Sequence, residues 1–184
     1  MEAAVPILVI VVLVVLGWVV VTYNRLVVGR NRVDNAWGQV DVQLGRRNDL
    51  IPNLVETVKG YASHEQETLD RVIQARNRAQ AASSPAEAAQ AENLLTGALR
   101  QLFALAEAYP DLKASDGFRD LQAQLTETED KIAVARQIYN DTVLSHNNRC
   151  QTVPSNLVAS LTGFETREYF EAPEGAAEPP RVQF

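Results

Sequence analysis

The stretch from Ala3 to Val21, AAVPILVIVVLVVLGWVVV, carries no charge and no polar side chain except the indole N–H of Trp18. As an α-helix it extends about 28 Å, close to the ~30 Å hydrocarbon thickness of a bilayer. A helix satisfies its own backbone hydrogen bonds in lipid, so such a segment inserts without a partner. A cleaved signal peptide would show a basic n-region, a shorter apolar core and a small-x-small cleavage site. Here the n-region holds Glu2 and no Lys or Arg, Gly17-Trp18 is followed by valines, and no Cys follows for lipidation. The expectation is a retained single-pass anchor over residues 1–22, in contact with the lipid bilayer.

The flanks predict orientation. Arg25, Arg30 and Arg32 lie just beyond the span, with Arg46 and Arg47 further on, and only Glu2 precedes it. Positive charge is retained on the cytoplasmic side, which places the N-terminus outside and the long C-terminal part in the cytoplasm of a cell-membrane protein. Tyr23 stands where an interfacial aromatic belongs. Tyr23, Arg25, Arg30 and Arg32 are thus the residues expected at the membrane surface. The sole cysteine, Cys150, permits no intramolecular disulfide, which suits a reducing compartment. Net charge is −6 with no basic stripe, and a nucleic-acid partner is not expected.

The remaining chain is long enough for one domain with a real core, and it reads as all helix. Val33, Trp37, Val40, Leu44, Ile51, Leu54, Val58 and Tyr61 recur at spacings of three and four, with Arg47 in the one polar slot. The stripe crosses Pro52 in register, which predicts one long bent helix; Asn48-Asp49 capping a second helix is the alternative. Glu67–Ala81, with Leu69, Val72, Ile73 and Arg76, reads as its continuation. Ser84, Pro85 and Glu87 form a capping box with proline at its favoured site, opening a second helix. That helix carries Ala88, Ala91, Leu95, Ala98, Leu102, Leu105 and Tyr109, and stops at Tyr109-Pro110-Asp111. Ser115-Asp116 opens a third, striped by Phe118, Leu121, Leu125, Thr128, Ile132, Ala135, Tyr139, Thr142 and His146, which Val153-Pro154-Ser155 ends. Asn156–Leu161 reads as one or two helical turns.

The predicted fold is therefore all-α: an N-terminal transmembrane helix followed by an antiparallel up-and-down bundle of long helices over residues 23–170, with shallow coiled-coil packing. Residues 171–184, rich in Pro, Ala, Glu and Gly, are expected to be disordered.

The segments YNRLV (23–27), RNRVDNAWGQVDVQL (30–44), RRNDLIPNLVETVKGYASHE (46–65), ARNRA (75–79), ENLLTGAL (92–99), LFALAEAYPDLKAS (102–115), LTETEDKIAVARQIYND (125–141) and the FETREYFE region (164–171) resemble the LemA family of bacterial membrane proteins. The resemblance covers nearly the whole chain in order. It implies one N-terminal span and a helical-bundle domain, and it brings no enzymatic activity, cofactor or catalytic residue.

Candidate chemistry is sparse. His146 and Cys150 stand one helical turn apart and could form a nucleophile–base pair or two metal ligands, but no third partner is evident. His64 lies apart, in Ser-His-Glu. A di-metal carboxylate bundle would use Glu-x-x-His motifs, and neither histidine has a Glu three residues before it. The dense polar sets Asp34, Asn35, Asp41, Arg46, Arg47, Asp49, Asn53, Glu56 and Glu127, Glu129, Asp130, Arg136, Asn140, Asp141 read instead as pairs across the bundle that set register, with a solvated face. At the terminus, Val182 and Phe184 would point to one side of an extended strand, a pattern suited to docking on a partner's sheet edge. The sequence thus points to a non-enzymatic, membrane-tethered helical scaffold or adaptor without catalytic residues, metal or cofactor. Its partners would be membrane or cytoplasmic proteins, or copies of itself. A metal-binding or enzymatic carboxylate bundle is the alternative.

Overall fold

Helix α1 runs from Ala4 to Tyr61, 58 residues, in a computed structural model that describes residues 4–170. Side chains from Pro6 to Trp18 are exposed throughout, and α1 is the one described helix long and apolar enough to cross a membrane. The tail residues 171–184, with Val182 and Phe184, lie outside the described residues.

Five helices follow: α2 (Gln66–Ala81), α3 (Pro85–Ala106), α4 (Pro110–Ala114), α5 (Asp116–Gln151) and α6 (Ser155–Thr162), with no strand among the described residues. The expected up-and-down helical bundle is present, with one correction. Glu67–Ala81 does not prolong the first helix: the chain turns at Ala62–Glu65 and α2 packs back. A straight continuation would leave Val55 and Val58 of α1 and Leu69 and Val72 of α2 in water, whereas the reversal buries all four in one cluster. Ala62, not Tyr61, takes the last buried position of the stripe; Tyr61 is exposed. Tyr109 Oη fastens the turn by donating to the Glu65 carboxylate at 3.1 Å.

Pro52 sits inside α1. Its ring nitrogen has no hydrogen, so the carbonyl of Asn48, four residues earlier, loses its helical donor. Asn48 is buried, and a buried carbonyl without a donor is costly. Arg76 of α2 supplies one: its Nε donates to Asn48 O at 2.9 Å. The helix thus passes through the proline because its partner helix repairs the break.

At the α3 start, Ser84 Oγ accepts from Glu87 N–H at 3.3 Å, as the capping box predicts. The return bond is displaced by one residue: the Glu87 carboxylate accepts from Ser83 N–H (2.9 Å) and Ser83 Oγ (2.7 Å). The Ser83 backbone bond, with the hydroxyl bond behind it, holds that carboxyl below its ordinary value.

By contacts the chain forms two units. One comprises Gly38–Gln137 with Tyr169 and Phe170; its core gathers Ile51, Leu54 and Val58 of α1, Leu69 and Val72 of α2, Leu95, Leu99 and Leu102 of α3, and Phe118 and Leu125 of α5. The other comprises the described residues up to Trp37 and Ile138–Glu168. In it the last turns of α5 run antiparallel to α1: Tyr139 meets Trp37, with ring centroids 5.4 Å apart, and Arg149 reaches Arg25. The loop after α5 contains a cis Val153–Pro154 bond. Helix α6 closes on a left-handed Gly163 (φ 73°), and Phe164 N–H bonds back to Ala159 O at 3.0 Å, a terminator that suits glycine.

The proline repair predicts a specific coupling. Arg76→Met should destabilise the protein by about 1–3 kcal/mol by stranding the Asn48 carbonyl. In a Pro52→Ala background, where the substituted residue provides the missing N–H, the same change should cost about 1 kcal/mol less. Urea unfolding of the four proteins of this cycle measures the coupling; additive effects would show that Arg76 does not serve the proline.

Candidate membrane-proximal site and buried polar network

The residues expected at the membrane surface share one unit with the end of α5, helix α6 and the extended segment after it. Tyr23 packs edge-on against Phe164, centroids 5.7 Å apart, and the Arg30 guanidinium lies over the same ring, 5.4 Å from its centroid. Phe164 also contacts the small apolar cluster of Leu26, Val158 and Ala159. Arg25 and Arg32 fall on a neighbouring face of α1 and, with Val21, Asn24, Val28 and Arg149 of α5, line an open groove of about 420 Å³. Arg149 Nη1 donates to the Arg25 carbonyl at 3.2 Å. The sequence pointed to Tyr23, Arg25, Arg30 and Arg32 but not to Arg149 or Phe164, which only the fold brings beside them.

The polar end of the α5 stripe holds the segment 164–168 in place. Asn147 grips the Arg167 backbone from both sides, Nδ2 donating to its carbonyl (2.9 Å) and Oδ1 accepting from its N–H (2.8 Å). Tyr139 Oη donates to Glu168 O at 2.8 Å, and burial pushes that phenol up to about 12. Arg167 pairs with Asp34 at 3.3 Å. His146, fully buried, sets Nε2 3.1 Å from Glu165 O, so this nitrogen carries the proton. Its Nδ1 faces Gly29, where a Cβ would lie only 3.1 Å away; glycine here is what allows the imidazole to approach α1.

Cys150 Sγ stands 3.5 Å from His146 Nε2. The pair therefore meets, as its spacing allowed, but burial raises the thiol above its ordinary value, the reverse of an activated thiolate. The His146 Nε2 proton is directed to a backbone carbonyl rather than to a carboxylate. Among the described residues no group of three His, Cys, Asp or Glu is placed to hold a metal ion.

In the other unit, Arg47 occupies the polar slot of the α1 stripe and is buried. Its Nη1 pairs with Glu92 of α3 at 2.8 Å and with Glu129 of α5 at 2.9 Å, and Nη2 donates to Thr96 at 2.8 Å. One guanidinium thus ties three helices. Arg46 adds a looser, exposed pair with Glu127 at 3.8 Å. Burial pushes the Glu92 carboxyl above its usual value, against the pull of Arg47 and with a further push from Glu129. The sequence supplied Arg47 and Glu129 as candidates for pairing but not Glu92, hidden in an alanine-rich helix start where burial was expected to be apolar.

Two expected outcomes follow from this geometry. Arg47→Met should cost about 3–5 kcal/mol at pH 7, because it leaves a buried carboxylate without its cation. A carboxyl whose folded pKa lies above its unfolded value contributes stability below the unfolded value and loses it as pH rises through the folded one. Losing Arg47 raises the Glu92 pKa further, so the deficit relative to wild type should shrink on going from pH 7 to pH 5; unfolding at both pH values checks this, and an unchanged deficit would clear Glu92. Asn147→Leu should release residues 164–168, read as faster amide exchange there with α2–α3 protection unaltered, and cost about 1–3 kcal/mol through two stranded backbone groups.

The sequence profile of the LemA family matches residues 36–184. Protein LemA of Metamycoplasma hominis is 28% identical over 155 residues, which cover 82% of this chain and 69% of that protein. Magnetosome protein MamQ 2 of Paramagnetospirillum magneticum is 38% identical over 79 residues, and magnetosome protein MamQ of Magnetospirillum gryphiswaldense is 34% identical over 79 residues. These matches span 42% of this chain but only 29% of each MamQ protein. With one exposed apolar helix among the described residues, a helical domain behind it and a family match over most of its length, this membrane protein belongs to the LemA family.

Proposed function

We propose that the chain is a membrane-anchored scaffold or adaptor that presents a helical domain at the cytoplasmic face and binds other proteins there, without catalysing a reaction. The observation that carries the reading is the continuity of α1: one unbroken helix includes the exposed apolar stretch and supplies buried side chains to both units. Such a helix joins the anchor to the domain without a linker. The charged groups that the fold gathers pair across three helices, Arg47 with Glu92 and with Glu129, an arrangement that suits setting helix register. The arginines beyond Val21 support the cytoplasmic placement through the charge asymmetry of the flanks.

A reporter fused after Phe184 is expected to be active only in a cytoplasmic assay; a signal from the far side of the membrane would reverse the orientation. Crosslinking in intact membranes followed by mass spectrometry should recover defined protein partners through the helical domain. Substrate turnover by the purified, membrane-embedded chain would overturn the scaffold reading.

A further inference from the structure

We propose that the groove between Arg25, Arg32 and Arg149 binds the phosphate of an anionic phospholipid, while the exposed edge of α6 rests in the adjoining acyl region. Two independent observations converge on this. The first is charge. Residues 21–33 contain Arg25, Arg30 and Arg32 and no acid, and residues 144–163 contain Arg149 and no acid. Among the described residues, Arg25, Arg32 and Arg149 pair with no carboxylate, although most other cations of the domain do. Arg30 is set apart by its stack on Phe164. Arginines next to a span are enough to orient it, but Arg149 lies 124 residues from Arg25 in the chain and has no such duty. The fold nevertheless brings it to the same groove, and forked guanidinium groups match phosphate oxygens in pairs.

The second observation is depth. Helix α6 packs through Val158 and Ala159 on Leu26, with Val19 of the apolar stretch against the same cluster. Helix α6 therefore sits beside the last turns of the span. Its other side carries Leu157 and Leu161, 58% and 87% exposed, and Val153 just before it is 79% exposed. These residues recur every four positions, so the two leucines share one face of the helix. Large aliphatic side chains this exposed, next to a membrane span and close to the arginines of the groove, suit an interfacial helix: apolar edge toward the acyl chains, cations at the phosphate level. The lipid headgroup, rather than a free anion, is the occupant because the groove is continuous with the span itself through Val21.

The test uses the full chain in nanodiscs of phosphatidylcholine containing one part in four phosphatidylglycerol. Native mass spectrometry after mild detergent release should find phosphatidylglycerol enriched at least fivefold over its bulk share among retained lipids. Arg25→Gln/Arg32→Gln/Arg149→Gln should return the ratio to about one, with helicity by circular dichroism unchanged, whereas the triple Arg→Lys variant should keep part of the enrichment. In a Cys150→Ser background, a fluorophore on Leu161→Cys should be quenched at least twofold more by bromine on the upper acyl chain than by aqueous iodide. Enrichment that survives the Gln variant, or a water-quenched probe, would overturn the proposal. So would displacement of the lipid by 10 mM inorganic phosphate, which would make the groove a free-anion site, or enrichment that emerges only after deletion of residues 171–184, which carry Glu171, Glu174 and Glu178. The inference rests on membrane insertion of the span but not on the scaffold reading: failure of the chain to enter nanodiscs would sink the anchor, and incorporation without lipid selectivity would sink the lipid site alone.

Discussion

Every packed part of this protein leans on α1, and α1 has to remain a helix over 58 residues. In its first third the requirement is set by lipid, where an unpaired backbone group has no water to turn to. Further on it is set by packing, because a break would rotate the buried positions Ile51, Leu54 and Val58 off the face they share with Val40 and Leu44. Pro52 threatens that continuity at one carbonyl, and Arg76 answers at that carbonyl. The arrangement makes α2 a condition for the continuity of α1 as well as a cover for its apolar face.

The buried stripes of α1 and α5 are not uniformly apolar, and the exceptions share a logic. Arg47 on α1 and Thr128, His146 and Asn147 on α5 are all buried. Arg47 requires Glu92 and Glu129 at once; Asn147 requires one particular peptide unit of the following segment; Thr128 turns inward to its own helix, donating to Gln124 O at 2.7 Å. Buried ion pairs and amide grips of this kind contribute little net stability compared with well-packed apolar side chains. Their effect is to make sliding by one helical turn expensive, since a shifted helix would leave a buried charge or carbonyl unpaired.

The membrane-proximal unit solves a different problem. Helix α6 is only eight residues long and cannot persist alone. It is held between the left-handed turn at Gly163, the Phe164 ring under Arg30 and Tyr23, and the backbone bonds that Asn147, His146 and Tyr139 make to the segment behind it. This clamp keeps Leu157 and Leu161 turned outward beside the span. An imidazole and a thiol within 3.5 Å of each other serve the same clamp, because both face the Glu165 carbonyl rather than an open cleft.

Periodicity alone determined the class of this protein. An uncharged stretch of membrane length, stripes at three-four spacing and a serine–proline–glutamate helix start are local signals, each readable from neighbours within a turn or two. They account for the apolar N-terminal helix, the all-helical domain, the start of α3 and the end of α5 just before Val153-Pro154. Tertiary structure decided what locality cannot carry. Whether the chain continues or reverses after Tyr61 depends on whether Leu69 and Val72 find Val55 and Val58, a contact between distant segments. Which carboxylates meet Arg47 depends on the register of three helices, and Glu92 among alanines gave no local sign of it. Arg149 enters the groove beside Arg25 only because α5 runs back along α1. Hydrophobic spacing specifies which face of a helix is buried; it does not specify what that face is buried against, and the polar partners that settle the question are far apart in the chain.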